Sequence, residues 1–136
     1  MIFLSYKYTN NPNKDALIAN LNSLSTVIEE LGNSTYILGR DYAKWDHSKL
    51  STYSSLGKMY KNIKNSDKII FFIDSNHFSK GVIAEILIKF LLNKPGLIVA
   101  YDTNIIKNLY EIIGKVIIET DINNLKNNRD FVEFVK

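Results

Sequence analysis

With 136 residues, 46% of them apolar and 23% charged, the chain can build one domain around one core and has no room for a second. The absence of cysteine excludes a disulfide scaffold and a thiolate metal site, and it suits a reducing, cytoplasmic setting. The net charge of +3 is spread over lysines mixed with asparagines, with no basic stretch of interleaved aromatics, so nucleic acid is not an expected partner.

Ile2 to Tyr6 reads as a first strand, apolar from the start, with no basic segment ahead of it that would make a signal peptide. Lys7 to Asn13 is a polar loop whose Asn11 or Asn13 can cap the next element. Ala16, Leu17, Leu21, Leu24, Val27, Ile28 and Leu31 recur at three- and four-residue steps. That spacing predicts an amphipathic helix over 14–31, ended by Gly32-Asn33. Ser34 to Leu38 is a short second strand. Gly39 to Leu50 has no clean period. It gathers Arg40, Asp41, Tyr42, Trp45, Asp46 and His47, the make-up of a binding loop.

Residues 52–65 read as a helix with Leu56, Met59, Tyr60 and Ile63 on one face. A third strand, 68–73, is rich in β-branched and aromatic residues and stops at Asp74-Ser75-Asn76. After Ser79 and Gly81 comes a longer apolar segment, Val82 to Leu92, read as a helix with Val82, Ile83, Ile86, Leu87 and Phe90 as its apolar face. Glu85 and Lys89 interrupt it, and it falls well short of the ~18 residues of a membrane span. Asn93 to Gly96 breaks this helix. Leu97 to Tyr101 is a fourth strand, Ile105 to Ile113 a helix ended by Gly114, and Lys115 to Glu119 a fifth strand. Phe131, Val132 and Val135 give the tail a helical spacing.

Strands that alternate with helices, each strand apolar throughout, predict a five-stranded parallel sheet with helices on both faces. The leading topology is the flavodoxin-like order 2-1-3-4-5, in a single α/β domain over 1–136. Its switch point lies between strands one and three. The loops Ser5-Tyr6-Lys7-Tyr8 and Asp74 to Gly81 then face each other across a crevice, with Glu85 behind the second. A lone carboxylate in such a crevice can act as nucleophile at a sugar anomeric carbon. Spacing alone favours a plainer role, a solvated ion pair between Glu85 and Lys89. Ser79 and Gly81 likewise read as a helix cap and turn. His47 and His77 lack metal-ligand spacing, and no metal or cofactor is expected. A Gly-x-Ser-x-Gly elbow, a P-loop and a Gly-x-Gly-x-x-Gly fingerprint are all absent.

Three stretches carry a resemblance. Ile2-Phe3-Leu4-Ser5-Tyr6-Lys7 resembles the first strand and loop of nucleoside 2-deoxyribosyltransferase-like proteins. Ser66-Asp67-Lys68-Ile69-Ile70 followed by Ser79-x-Gly81-x-x-x-Glu85 is similar to their central strand and catalytic helix. Lys94 to Val99 and Ile113 to Ile117 are similar to their last two strands. The resemblance implies cleavage or transfer at an N-glycosidic bond of a (deoxy)nucleoside 5′-monophosphate, with Glu85 as catalytic nucleophile. It implies that Ser79 and Gly81, with Lys7, hold the phosphate, that Ser5, Tyr6, Tyr8 and Asp74 border the pocket, and that a neighbouring subunit of a homo-oligomer completes the site. Serine at position 79, where deoxyribose-transferring members usually have aspartate, points to a nucleotide and to hydrolysis. The chain departs from the family at Met59, where an aspartate is common, at Ile83, where there is a second glycine, and in the bulky Ile86, Leu87, Ile88 and Phe90.

Phe3-Leu4-Ser5-Tyr6, Gly39-Arg40-Asp41 and Asp74 to Ser79, with a glutamate six residues on, also resemble a Toll/interleukin-1-receptor domain. That alternative implies a signalling module, in some members NAD-cleaving, but its tryptophan-cysteine pair before the glutamate is missing. A non-catalytic nucleotide-binding protein is the third reading.

Overall fold

The computed structural model describes residues 1–8, 11–46, 48, 52–74, 79–102 and 110–136, with 52–55 described by backbone alone. The strands are β1 (Ile2–Ser5), β2 (Thr35–Ile37), β3 (Lys68–Ile73), β4 (Gly96–Ala100) and β5 (Lys115–Ile118). They form one all-parallel sheet in the order β2-β1-β3-β4-β5, as the sequence predicts. In register, Leu4 lies between Ile37 and Ile70, and Ser5 pairs with Phe71.

Side chains alternate across the sheet and build two cores. Ile2, Leu4, Ile70, Phe72, Leu97 and Val99 face α1 (Lys14–Glu30), the 3-10 helix Ile122–Asn127 and the last helix, Arg129–Val135. Phe3, Ile69, Phe71, Ile73 and Ile98 face Ile63 of α3 (Thr52–Asn65) and Val82 of α4 (Lys80–Leu91). Between β2 and α3, Leu38–Asp41 forms the single helical turn α2, which makes Arg129–Val135 α5.

Local chemistry sets the helix ends. Asn13 caps α1, its side-chain oxygen accepting from the Ala16 N–H at 3.0 Å. Gly32, at φ +92°, ends it in the left-handed region that glycine tolerates. Asn93 does the same for α4 at φ +50°, with the Lys94 N–H closing on the Lys89 carbonyl at 3.0 Å. Gly114 and Gly96 are needed for another reason. A Cβ on Gly114 would run into the Gly96 backbone, and one on Gly96 would meet the Lys89 stem.

The structure corrects the sequence reading in three places. The 38–41 turn takes Leu38 from the expected second strand and otherwise lies, like the 3-10 helix, in a stretch the pattern left unassigned. The core-facing stripe of α4 runs through Val82, Glu85 and Lys89; of the expected apolar face Val82 is buried and Ile86 packs against the core, but Ile83, Leu87 and Phe90 are open at 46%, 64% and 49% exposure, as is Leu91 beside them at 76%. Glu85 and Lys89 also form no ion pair, because both are buried and bond elsewhere. Most of the helix expected over Ile105–Ile113, together with His47 and His77, lies outside the described residues.

Candidate active site

β1 ends at Ser5, buried on the α4 side of the sheet at the point where the strand order reverses. That is where ligands enter an open α/β sheet. The opposite wall is the start of α4. Ser79 caps this helix, its Oγ accepting from the Val82 N–H at 3.1 Å, so the plain reading of Ser79 is met. The hydroxyl proton remains available to a ligand. Gly81 lies one turn before Glu85, over the thioether of the buried Met59.

Glu85 is 6% exposed, and the Ser5 hydroxyl donates to its Oε2. Burial pushes the carboxyl up to about 8, against the pull of the Ser5 bond. Lys89 does not offset this. Its ammonium lies over the Phe90 ring, 4.4 Å from the centroid, and burial lowers its proton affinity. Among the described residues the carboxyl has a hydroxyl partner and no cation, which favours the protonated form at neutral pH.

Tyr6 follows Ser5. Burial, then the field of Glu85, raises its phenol well above the ordinary value, while a backbone hydrogen bond with Gly39 lowers it. Its ring meets Trp45 edge-on, centroids 6.4 Å apart. Trp45 itself sits at φ +64°, uncommon for a bulky residue, and its N–H donates to the Gly39 carbonyl at 2.7 Å. Trp45 and Met59 thus shape the surroundings of Tyr6 and Gly81; from sequence Trp45 is expected only as part of a binding loop, and Met59 only as a core residue and a departure from the family. Two consecutive left-handed residues, Lys44 and Trp45, carry no glycine or asparagine that would have signalled the turn.

Other expected site residues sit apart. Tyr8 packs toward the α1 core, with the Lys14 ammonium 4.6 Å from its ring centroid. Asp74 shares the parity of Phe72 and also faces α1. Its Oδ2 accepts from the Asn11 amide at 2.7 Å, in a cleft of about 270 Å³ lined by Asn11, Asn13, Leu17, Asn20 and Tyr101. Lys7 is half-buried, and its carbonyl accepts from Asn11 at 3.4 Å. The eight residues therefore divide into Ser5, Ser79, Gly81 and Glu85 along the β1–α4 junction, and Lys7, Tyr8 and Asp74 nearer α1, with Tyr6 packed on the α1-side core yet close enough to feel the field of Glu85. Among the described residues no cluster of three histidine, aspartate or glutamate side chains could hold a metal, and no helix is long and apolar enough to cross a membrane.

No protein-family model matches the sequence, and no curated protein matches it. Solved structures do. A Clostridium botulinum CMP N-glycosidase, BcmB, superposes with a TM-score of 0.63 at 17% identity, over 95% of this chain and 97% of its own. A 2-deoxyribosyltransferase from Bacillus psychrosaccharolyticus gives 0.65 at 18% identity, over 96% and 94%. A flavoenzyme, the NAD(P)H:acceptor oxidoreductase FerB of Paracoccus denitrificans, gives 0.54 at 14% identity, over 98% and 93%. The chain therefore has the fold of the nucleoside 2-deoxyribosyltransferase-like proteins, in agreement with the sequence resemblance. Because the same sheet also serves a flavoenzyme, the fold leaves the reaction open, and the side chains at the β1–α4 junction have to decide it.

Proposed function

We propose that the chain cleaves the N-glycosidic bond of a (deoxy)nucleoside 5′-monophosphate, with Glu85 as the nucleophile. One observation carries this reading: a buried carboxyl at the switch point, held by a hydroxyl and, among the described residues, by no cation. A structural carboxylate would pair with an available lysine, and Lys89 one turn away is not used. Similarity to a CMP N-glycosidase and a 2-deoxyribosyltransferase supports the class of reaction.

In the first step Glu85 attacks the anomeric carbon through an oxocarbenium-like transition state, and the base departs. Water then opens the glycosyl ester, and Ser79 in place of aspartate favours this outcome over transfer. The Ser79 hydroxyl and the free N–H groups at the start of α4 receive the phosphate, and Gly81 lets it approach. Tyr6, whose phenol feels the field of Glu85, borders the sugar. No metal or cofactor takes part. The test is a panel of deoxynucleoside and nucleoside monophosphates, with NAD included, followed for free base by chromatography. Nicotinamide release from NAD alone would replace this reading with the signalling-domain one. Binding of nucleotides with no turnover would leave a nucleotide-binding protein.

Ser79→Ala should raise KM for a nucleoside monophosphate by about tenfold, the effect of one charge-assisted hydrogen bond, and leave KM for the matching nucleoside unchanged. Equal losses for both substrates would reduce Ser79 to a helix cap.

The chain is further proposed to work as a homo-oligomer. Ile83, Leu87, Phe90 and Leu91 form an open apolar strip on the helix that carries Glu85, and patches of this kind mark association surfaces. Sedimentation should show a dimer or larger species for the wild type and a monomer for Leu87→Glu. A monomeric wild type would refute it.

A further inference from the structure

Asp74 lies outside the β1–α4 junction, yet the fold builds a second concave site around it. The β3–β4 ladder runs one residue past the strands. The Tyr101 N–H donates to the Ile73 carbonyl at 3.0 Å, which sets Tyr101 beside Asp74. Ile70, Phe72, Leu97 and Val99 face the α1 core, and counting by twos puts Asp74 and Tyr101 on the same side. The start of α1 is the facing wall. Asn13, Ala16, Leu17 and Asn20 recur at i, i+3, i+4 and i+7, so one face of the helix offers amides and apolar carbons together. The cleft of about 270 Å³ lies between these walls, with Ser5 and Glu85 across the sheet from it.

The groups in this cleft have a shared chemistry. The Asn11 amide donates to Asp74 Oδ2 at 2.7 Å and to the Lys7 carbonyl at 3.4 Å. That fixes the carboxylate and leaves Oδ1 to accept from a ligand. Asn13 commits its side-chain oxygen to the Ala16 N–H, and its amide nitrogen still has two hydrogens to donate. Asn20, half-buried on the same wall, brings both a donor and an acceptor. Tyr101 adds an exposed aromatic ring, and Leu17 a buried apolar floor. Carboxylates accept from the exocyclic amino group of cytosine, and asparagine amides pair with the amino group and neighbouring ring nitrogen of adenine. The volume falls below the roughly 300–1,000 Å³ that drug-sized ligands occupy, which suits a single base.

We propose that this cleft binds a free nucleobase carrying an exocyclic amino group, with Asp74 accepting from that group, an α1 asparagine meeting the adjoining ring nitrogen, and Leu17 and Tyr101 flanking the ring. A free base is also the product of the reaction proposed above, which gives such a site a use. Neither reading needs the other, because binding is measured here with no turnover.

The test is titration of the ¹⁵N-labelled full chain with two pairs of bases, cytosine against uracil and adenine against hypoxanthine, followed by NMR. The aminated member should give saturable shifts over Asn13–Asn20. Its partner, which sets a carbonyl against the carboxylate, should bind at least about tenfold more weakly. A preference in either pair supports the proposal and tells which ring size fits. No binding, equal binding within both pairs, or shifts at Gly81–Glu85 without shifts at Asn13–Asn20 overturns it. Asp74→Asn should erase the preference, since an amide accepts from an amino group and donates to a carbonyl alike, and a preference that survives refutes the role of Asp74. Asn20→Trp, which fills the cleft from α1, should abolish binding of every base, and binding that persists places the site elsewhere. A chain that binds cytosine here and releases no base from any nucleotide loses the glycosidic reading alone.

Discussion

Glu85→Gln should abolish base release, lowering kcat by about 10³-fold or more, as removal of a covalent nucleophile does. The substitution is a fair test because the side chains are nearly the same size. Glutamine can still accept from the Ser5 hydroxyl, so the β1–α4 junction should keep its shape. What it loses is the ability to form an ester with the anomeric carbon. Nucleotides should still bind, and thermal stabilisation by a nucleoside monophosphate should survive in the variant. Release at the wild-type rate by Glu85→Gln would sink the mechanism. Loss of both turnover and nucleotide stabilisation would show a damaged site, not a missing nucleophile.

The second large effect is on stability, with glutamate and glutamine again compared. Burial raises the Glu85 carboxyl from an ordinary 4.5 to about 8 in the folded chain. Below pH 4.5 it is protonated folded or unfolded, and it costs nothing. Between 4.5 and 8 the unfolded chain ionises first, so folding becomes progressively less favourable. Above 8 the full penalty is present, roughly 4–5 kcal/mol on the scale of one unit per 1.36 kcal/mol. The Met1 amino group acts in the opposite sense on Asp67, 2.7 Å away, holding that carboxyl below its usual range. Its contribution is lost as pH falls below the carboxylate range, outside the Glu85 window. The wild type should therefore melt several degrees higher at pH 5.5 than at pH 8.5. In Glu85→Gln that difference should largely vanish, leaving the variant the more stable protein at pH 8.5. A wild type that is more stable at pH 8.5 than at 5.5 would mean that Glu85 is not buried in its acid form.

Strand order was legible because each strand is a compact apolar run bounded by asparagine, glycine or proline. Lys68–Ile73 occupies the limits that its β-branched and aromatic residues predict. The orientation of α4 was not legible. Periodicity places Ile83, Leu87 and Phe90 inside together with Val82, yet the sheet is met by Val82 with Glu85 and Lys89. A single chain's pattern cannot separate a face that packs on its own core from one that packs on another molecule. For Glu85, the same ambiguity made a solvated pair with Lys89 look the better choice, and only its placement opposite Ser5 reverses that. The position of Asp74 was available in principle, since counting by twos from Phe72 puts it on the α1 side. Trp45 gave no such signal, because its packing depends on a left-handed turn that its own residue types disfavour.

The Gly96–Gly114 approach sets a limit on how this sheet can vary. Lys115 and Val116 sit at the edge strand, where Lys115 makes an exposed ion pair with Asp130 at 2.7 Å and Val116 packs half-buried on the core, and side chains of other sizes fit at either position. Gly114, immediately before them, admits none: the space a side chain would take is filled by the backbone of Gly96. Gly96 in turn has its own side-chain space filled by the stem of Lys89, the residue that withholds its charge from Glu85. Gly96 thus borders the lysine that stands one turn from Glu85 and does not pair with it, and Gly114 reaches that lysine only through Gly96. A substitution at Gly96 would be felt at the crevice as a displaced charge before it was felt as a lost fold.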